Sequence, residues 1–344
     1  MYLRKRQHSK GSRRWKNISI AVLISLIAFS FLPLIPFWLM KGTSKIDDNR
    51  SSVEELEKNK GEYFSFIVFG DNHNGLITND ASTLKLIWHM NREDRFKKIP
   101  IDFVLNVGDV TFDGQKAHFE AYKKIQKLIK YPVVAAIGNH DDRILFEEYC
   151  GDRQFAFANR NSYFIVVDNA DGQPDFIWLE EKLKEAQKYE HIFAAMHKPP
   201  CDPYQQEWYN IDNAPWAYEL RKLLAKYRVD IVFAGHKHMF KHQQFDGVDY
   251  ITTGGGGMLM EIPEADGGYL HYVRVMVNHD YVTYEVRKIS PPLWLHISYY
   301  LAKEAAYWAR NWYGSGYIFG RNTKLIQPKV QGLNDKEYWF DMTK

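Results

Sequence analysis

Five short polar blocks follow apolar runs along this chain: Gly70-Asp71-Asn72-His73, Gly108-Asp109, Gly138-Asn139-His140-Asp141, Met196-His197-Lys198-Pro199-Pro200 and Gly235-His236-Lys237-His238. Together they offer carboxylates, an amide and imidazoles, with no thiolate among them. Donors of this kind select hard or borderline divalent ions such as Mn, Fe or Zn, here at two adjacent positions. Asp71 with His73, and His236 with His238, stand two residues apart. In an extended chain each pair projects to one side and can converge on a single cleft. The glycines ahead of them let the backbone turn without a Cβ in the way. Two cations held this way can acidify a bound water and neutralise negative charge that develops on a reacting group.

These blocks need rigid elements behind them, and the pattern of the chain supplies candidates. Short β-branched and aromatic runs at 63–69, 101–107, 131–137, 163–168, 191–196 and 230–234 read as strands. Helical periodicity over about 80–92, 115–130, 174–189 and 215–228 alternates with them. The alternation predicts an α/β fold with its site at strand C-termini. After residue 245 the pattern changes to strands joined by turns, the last two linked as a hairpin by Asn278-His279-Asp280. There is no internal repeat.

In order, the blocks read D-x-H, G-D, G-N-H-D, H and G-H-x-H. That order resembles the calcineurin-like metallophosphoesterase superfamily, over about residues 63–290. The resemblance implies a sandwich of two mixed sheets flanked by helices. It implies one divalent metal held by Asp71, His73, Asp109 and His238, and a second held by Asp109, Asn139, His197 and His236. His140 would stand beside them, stabilising the phosphoryl oxygen and protonating the leaving group. The implied reaction is hydrolysis of a phosphate mono- or diester, lipid-, sugar- or nucleotide-linked, by metal-bound hydroxide without a covalent enzyme intermediate.

One block departs from the pattern of protein Ser/Thr phosphatases, which continue G-D-x-x-D-R-G. Here the stretch is Gly108-Asp109-Val110-Thr111-Phe112-Asp113-Gly114, without the Arg. Phe112 occupies the place of the carboxylate that would orient His140, so Asp113 and Asp141 are the candidates for that role. A phosphorylated small molecule or a lipid headgroup is the expected partner, and a phosphoprotein is disfavoured. Two alternatives are an inert binding module on the same fold and an extracytoplasmic nuclease.

Composition narrows the setting. The chain has 344 residues, with 45% hydrophobic, 25% charged and 15% aromatic residues, which excludes a disordered, collagen-like or polytopic membrane protein. The net charge of +3 divides unevenly. Residues 1–41 hold eight Lys and Arg and no acid, leaving 37 basic against 42 acidic residues in the remainder, a net of −5. An acidic body disfavours nucleic acid as a partner.

The 23 residues 18–40 carry no charge and are long enough to cross a bilayer. Their length and bulky end, Phe37-Trp38-Leu39-Met40, favour an uncleaved anchor over a signal peptide or a core helix. Seven basic residues precede the span, so the positive-inside bias places residues 1–17 in the cytoplasm and the body outside. The predicted organisation is tail (1–17), anchor (18–40), polar linker (41–61), catalytic domain (62–290) and aromatic C-terminal extension (291–344).

Within the linker a short helix capped by Ser52 is expected, next to a glycosylation sequon at Asn49-Arg50-Ser51. Cys150 and Cys201 are open to two readings, a bridge between active-site loops or two buried thiols. Residues 201–216 read as a lid or an ordinary loop, and Gly254–Gly257 as a turn near the metals. Trp294, Ile297, Leu301, Ala305, Trp308 and Trp312 share one helical face, suited to a membrane interface or to packing on the body.

Overall fold

The computed structural model describes residues 48–93, 99–201, 214–258, 260 and 264–297. In chain order the principal elements are α1 (Asn49–Leu56), β1 (Phe64–Phe69), α2 (Ile77–Met90), β2 (Ile101–Asn106), α3 (Lys116–Gln126), β3 (Val133–Ala135), α4 (Arg143–Cys150), β4 (Phe155–Asn159), β5 (Ser162–Val167), α5 (Phe176–Ala186), β6 (His191–Met196), α6 (Pro215–Lys226), β7 (Ile231–Ala234), β8 (Phe240–Phe245), β9 (Val248–Thr253), β10 (His271–Val277) and β11 (Val282–Lys288). One sheet runs β11-β10-β1-β2-β3 and the other β4-β5-β6-β7-β9-β8. Parallel pairs form the middle of both, β1–β2–β3 in the first and β5–β6–β7–β9 in the second. Antiparallel strands finish them at β10–β11, β4 and β8.

All six residues of β1, β5 and β6 are buried, which explains why their sequences are continuous apolar runs rather than alternating ones. Their inner faces meet in an aromatic layer. The Phe66 ring lies 5.1 Å from Phe103 in its own sheet, and 5.2, 5.4 and 5.8 Å from Phe164, Phe193 and Phe233 in the other. Such ring pairs add to the burial of their area and fix how the sheets lie on each other. Helices cover the outer faces. Leu86, Ile87 and Met90 of α2 and Ile125 of α3 pack against Ile67 and Val104 of the first sheet. Leu179 and Leu183 of α5 with Leu220 and Leu224 of α6 do the same for Ile165, Ala194 and Val232 of the second.

Every predicted apolar run contains a strand, although 131–137 shortens to Val133–Ala135. The predicted hairpin is present: Asn278 Oδ1 accepts from the backbone N–H groups of Asp280 and Tyr281 at 2.8 Å. The two cysteines are not bridged and lie buried in separate clusters, Cys150 with Val110, Phe119 and Phe146, and Cys201 with Leu220 and Leu224. Among the described residues no helix is long and apolar enough to cross a membrane. The predicted span 18–40, residues 202–213 of the predicted lid, and the C-terminal face beyond Ile297 lie outside the described residues.

The linker expectation is corrected at its C-terminal end. Helix α1 is capped by Asp48, whose side chain accepts from Ser51 N, and not by Ser52. Ser52 is fully buried and donates its hydroxyl to Val133 O at 2.7 Å. Asn49 works as an extra strand position: its Nδ2 donates to Ala135 O at 2.9 Å and its Oδ1 accepts from Ala135 N at 2.7 Å. The side-chain amide thus satisfies both backbone groups of Ala135, and only 2% of Asn49 is exposed. A buried amide engaged in three hydrogen bonds is no glycan acceptor. Replacing it by Ala strands buried backbone groups at a cost of about 2 kcal/mol. Asn49→Ala should therefore lower the denaturant midpoint, and a chain starting at residue 62 should be less stable than one starting at 48; equal midpoints would return this segment to a mere tether.

Candidate metal centre

Five loops meet where strands of both sheets end. β1, β2 and β3 bring Asp71, His73, Asp109, Asn139 and His140; β6 and β7 bring His197, His236 and His238. The pairs do not converge by strand alternation as expected, because β1 stops at Phe69 and β7 at Ala234. Left-handed backbone does the work: φ is 58° at Asp71, 45° at His73, 51° at Asp109 and 68° at His236. Each such residue costs on the order of 1–3 kcal/mol, and strain of this kind gathers at functional sites. Glycines permit the closest approaches. A Cβ on Gly138 would stand 2.1 Å from Asp109 Oδ1, and one on Gly235 would stand 2.4 Å from Asp71 Oδ2.

The donor atoms fall into adjoining groups. Asp71, His73 and His238 bring ligand atoms within 4.8 Å of one another, and so do Asp109, His197 and His236. A third group, His73, Asp109 and His140, spans the two. His236 and His238 therefore face different halves of the site. Asn139 joins the second half, its Oδ1 lying 3.0 Å from His197 Nε2. Asp109 Oδ2 lies 3.2 Å from His197 Nε2 and 3.4 Å from His73 Nε2, between the halves.

The electrostatics favour positive charge here. Asp71 and Asp109 are 0% and 2% exposed, and isolated buried carboxylates are strongly disfavoured. Burial pushes the Asp71 carboxyl well above the usual range against the pull of His197, and the Asp109 charge adds to the rise. Burial also opposes ionisation of Asp109, but the charge and hydrogen bond of His197, with His73, hold its carboxyl below the usual range. His197 is itself raised to about 9: burial works against its charged form, and Asp109 and Asp71 overcome that. The remaining imidazoles are kept neutral, mainly by burial, His73 at about 3, His236 at about 2 and His238 at about 4.

Neutral imidazole and ionised carboxylate are the forms that ligate metals. Both ring nitrogens of His73 are buried without a hydrogen-bond partner, the signature of an atom aimed at something other than protein. His197 Nδ1–H donates to Val107 O at 3.0 Å, which leaves Nε2 turned to Asp109 and Asn139. Orientation of this kind is typical behind metal-binding histidines. The donor set fits a pair of divalent cations.

The orienting role expected of Asp113 or Asp141 falls to neither. His140 is exposed, and its Nδ1 donates to the main-chain carbonyl of Phe112 at 2.8 Å. Asp113 is engaged with Gln115 and His118. The Asp141 carboxylate is a staple, accepting from the backbone N–H groups of Val110, Thr111 and Gly138 at 2.9–3.2 Å and from Thr111 Oγ1 at 2.7 Å. Burial and the nearby Asp109 charge raise it to about 6.

Sequence reasoning missed the asparagines that brace these loops. Asn169 Oδ1 accepts from His197 N at 3.1 Å and Lys198 N at 3.0 Å. Asn106 Oδ1 accepts from Gly108 N at 3.1 Å, while its Nδ2 donates to Asn72 Oδ1 at 2.8 Å. A polar residue at the end of an otherwise apolar strand run was the available signal for Asn106. Asn169 carried none, because its partners are 28 and 29 residues away.

Comparison with known proteins agrees with this geometry. Purple acid phosphatase 23 of Arabidopsis thaliana is 28% identical over 167 residues, which is 39% of this chain and 36% of that protein. The chain thus matches only about a third of that relative's length. Among solved structures, GAP50, the anchor in the inner membrane complex of Plasmodium, superposes with a TM-score of 0.51 at 14% identity, covering 67% of this chain and 90% of that one. At that identity the likeness speaks for the fold alone. The model of the calcineurin-like phosphoesterases matches residues 64–240, just over half of the sequence, and the chain belongs to that family.

Proposed function

We propose that this protein is a membrane-anchored phosphoesterase with two divalent metal ions, Mn, Fe or Zn, that hydrolyses a phosphate mono- or diester outside the cytoplasm. The observation that carries the reading is the convergence of the predicted donors in two adjoining groups that meet at Asp109, with neutral imidazoles at His73, His236 and His238 and His73 nitrogens that make no hydrogen bond. Asp71, His73, Asp109 and His238 would hold one cation. Asp109, Asn139, His197 and His236 would hold the other. When bound, such a pair lowers the pKa of water and neutralises charge on the phosphoryl oxygens.

The chain's own groups do the rest. The Phe112 carbonyl holds the Nδ1 proton of His140, so the other ring nitrogen is the one that can carry a proton to the departing oxygen. Asp141 and Asn169 hold the ligand-bearing loops in register. The complete donor set speaks against an inert module, and the acidic body against a nuclease. Absence of the Arg after Asp113 favours a small phosphorylated molecule or lipid headgroup over a phosphoprotein. The eight basic residues and the uncharged stretch at 18–40 support a single-pass anchor with the N-terminus in the cytoplasm.

Purified full-length protein should carry about two metal ions per chain. Asp109→Asn and His236→Ala should each lower that content and abolish hydrolysis of an aryl phosphate; wild-type turnover in either would reject the assignment. His140→Ala should keep its metals and lose roughly 10²–10⁴-fold in kcat. A loss confined to KM would remove His140 from proton transfer. The full chain should stay with membranes through an alkaline carbonate wash, and deletion of residues 1–41 should release an active body. Release of the full chain by the wash would refute the anchor.

A further inference from the structure

Beyond β9 the chain forms a strap, Gly254 to Met258, against the loops that carry the proposed ligands. Gly256 N donates to Gly70 O at 2.8 Å, and Met258 N donates to Asp71 O at 3.2 Å. Asn79 of α2 closes the same corner, its Nδ2 donating to His73 O at 3.0 Å and lying 3.5 Å from Met258 Sδ. The far side of this strap, at Gly257 and Met258, is one wall of a cavity of about 720 Å³. The cavity and the metal centre are therefore separated by a single stretch of backbone.

The lining decides what the cavity can hold. Met258, Met260, Leu270, Ile289, Pro291 and Leu293 supply apolar walls, and the volume lies in the range of roughly 300–1,000 Å³ usual for small-molecule sites. Two of its charged residues pair with each other, and the third, Lys85, is held at the wall by a backbone carbonyl. Lys288 Nζ lies 3.6 Å from Glu264 Oε1 and 4.0 Å from the centroid of the Tyr269 ring, while Lys85 Nζ donates to Pro291 O at 3.2 Å. The phosphate of a ligand would then be bound by cations at the donor cluster rather than by the Lys288–Glu264 pair. The walls are mostly apolar, so the part of a ligand they suit best is a hydrocarbon chain.

We propose that the cavity receives the hydrocarbon chain of an amphiphilic phosphoester whose phosphate lies at the metal centre, which makes the substrate class a lipid-linked phosphate. This rests on the phosphoesterase reading above and narrows it from small molecules, sugars and nucleotides to lipids. The observation specific to the inference is one strap with Asp71 on one side and an apolar chamber on the other.

The test separates the two readings. Full-length protein is titrated with non-hydrolysable alkylphosphonates of two to twelve carbons, and kcat/KM is measured for 4-nitrophenyl alkyl phosphates of the same lengths. Binding should tighten roughly three- to fourfold per added methylene until the cavity is filled. Leu293→Glu, at a position 52% exposed, and Ser290→Trp, also at the exposed rim, should flatten that slope and lower the ratio of long-chain to short-chain kcat/KM. Equal affinity at all lengths overturns the proposal, including the case in which residues beyond 297 or a second copy of the chain cover the cavity. A slope unchanged in both variants also overturns it. A normal binding slope with no turnover of any phosphoester would support the cavity's ligand class and count against the phosphoesterase reading.

Discussion

Two buried carboxylates govern this molecule. Asp71 and Asp109 sit at the junction of both sheets with almost no exposed surface, and Asp141 is 6% exposed behind them. Negative charge in such surroundings is tolerated only with a cation or dense hydrogen bonding beside it. The local backbone follows from that demand. Left-handed turns at Asp71, His73, Asp109 and His236 aim the donors inward, and backbone N–H groups of His140 and His236 are spent on Asp109 and Asp71 at 2.8–3.0 Å. A ligand that binds only the folded chain offsets such strain by mass action. In the proposed reading, divalent metal is thus a source of stability as well as of reactivity.

The aromatic layer makes the junction possible. β1, β2 and β3 belong to one sheet and β6 and β7 to the other, so five ligand-bearing loops reach one point only if the two sheets hold a fixed relative position. Phe66 and Phe103 against Phe164, Phe193 and Phe233 provide that registration far from the loops themselves. Near the loops the bracing changes from area to direction. Asn169 and Asp141 each satisfy several backbone groups, Asn106 ties the backbone of Gly108 to the side chain of Asn72, and a small displacement would break two or more bonds at once. Apolar packing sets the coarse geometry, and short polar side chains set the fine one.

The two kinds of interaction were not equally legible in the sequence. Buried strands announce themselves as apolar runs, and the five polar blocks at their ends carried nearly all of the donor set. β8, Phe240–Phe245, escaped notice because its sequence FKHQQF belongs to a half-exposed edge strand with few apolar positions. α1 read as solvated because its docking uses Asn49 and Ser52, polar side chains that act as substitutes for strand backbone. Carboxylates at 113 and 141 were reasonable partners for His140 by type. The observed partner is a main-chain carbonyl, which has no residue-type signature at all. Apart from the exposed edge strand β8, what stayed hidden was a backbone group meeting a side chain distant in sequence.

Charge distribution bears on how a phosphoester would reach such a site. Beyond residue 41 the chain carries a net charge of −5, so its overall field repels anions and long-range steering works against capture. Affinity must then come from short range, from cations at the donor cluster and from apolar area beside it. Only the strap between Asp71 and Met258 stands between the two, and in the proposed reading one ligand reaches both. Binding energy gained along a hydrocarbon chain can be used to seat the phosphate, since interactions remote from the reacting atoms offset the cost of orientation at the centre. On the proposed reading, a site deep between two sheets and flanked by an apolar chamber suits an amphiphile held at a surface better than a highly charged solute arriving through solution.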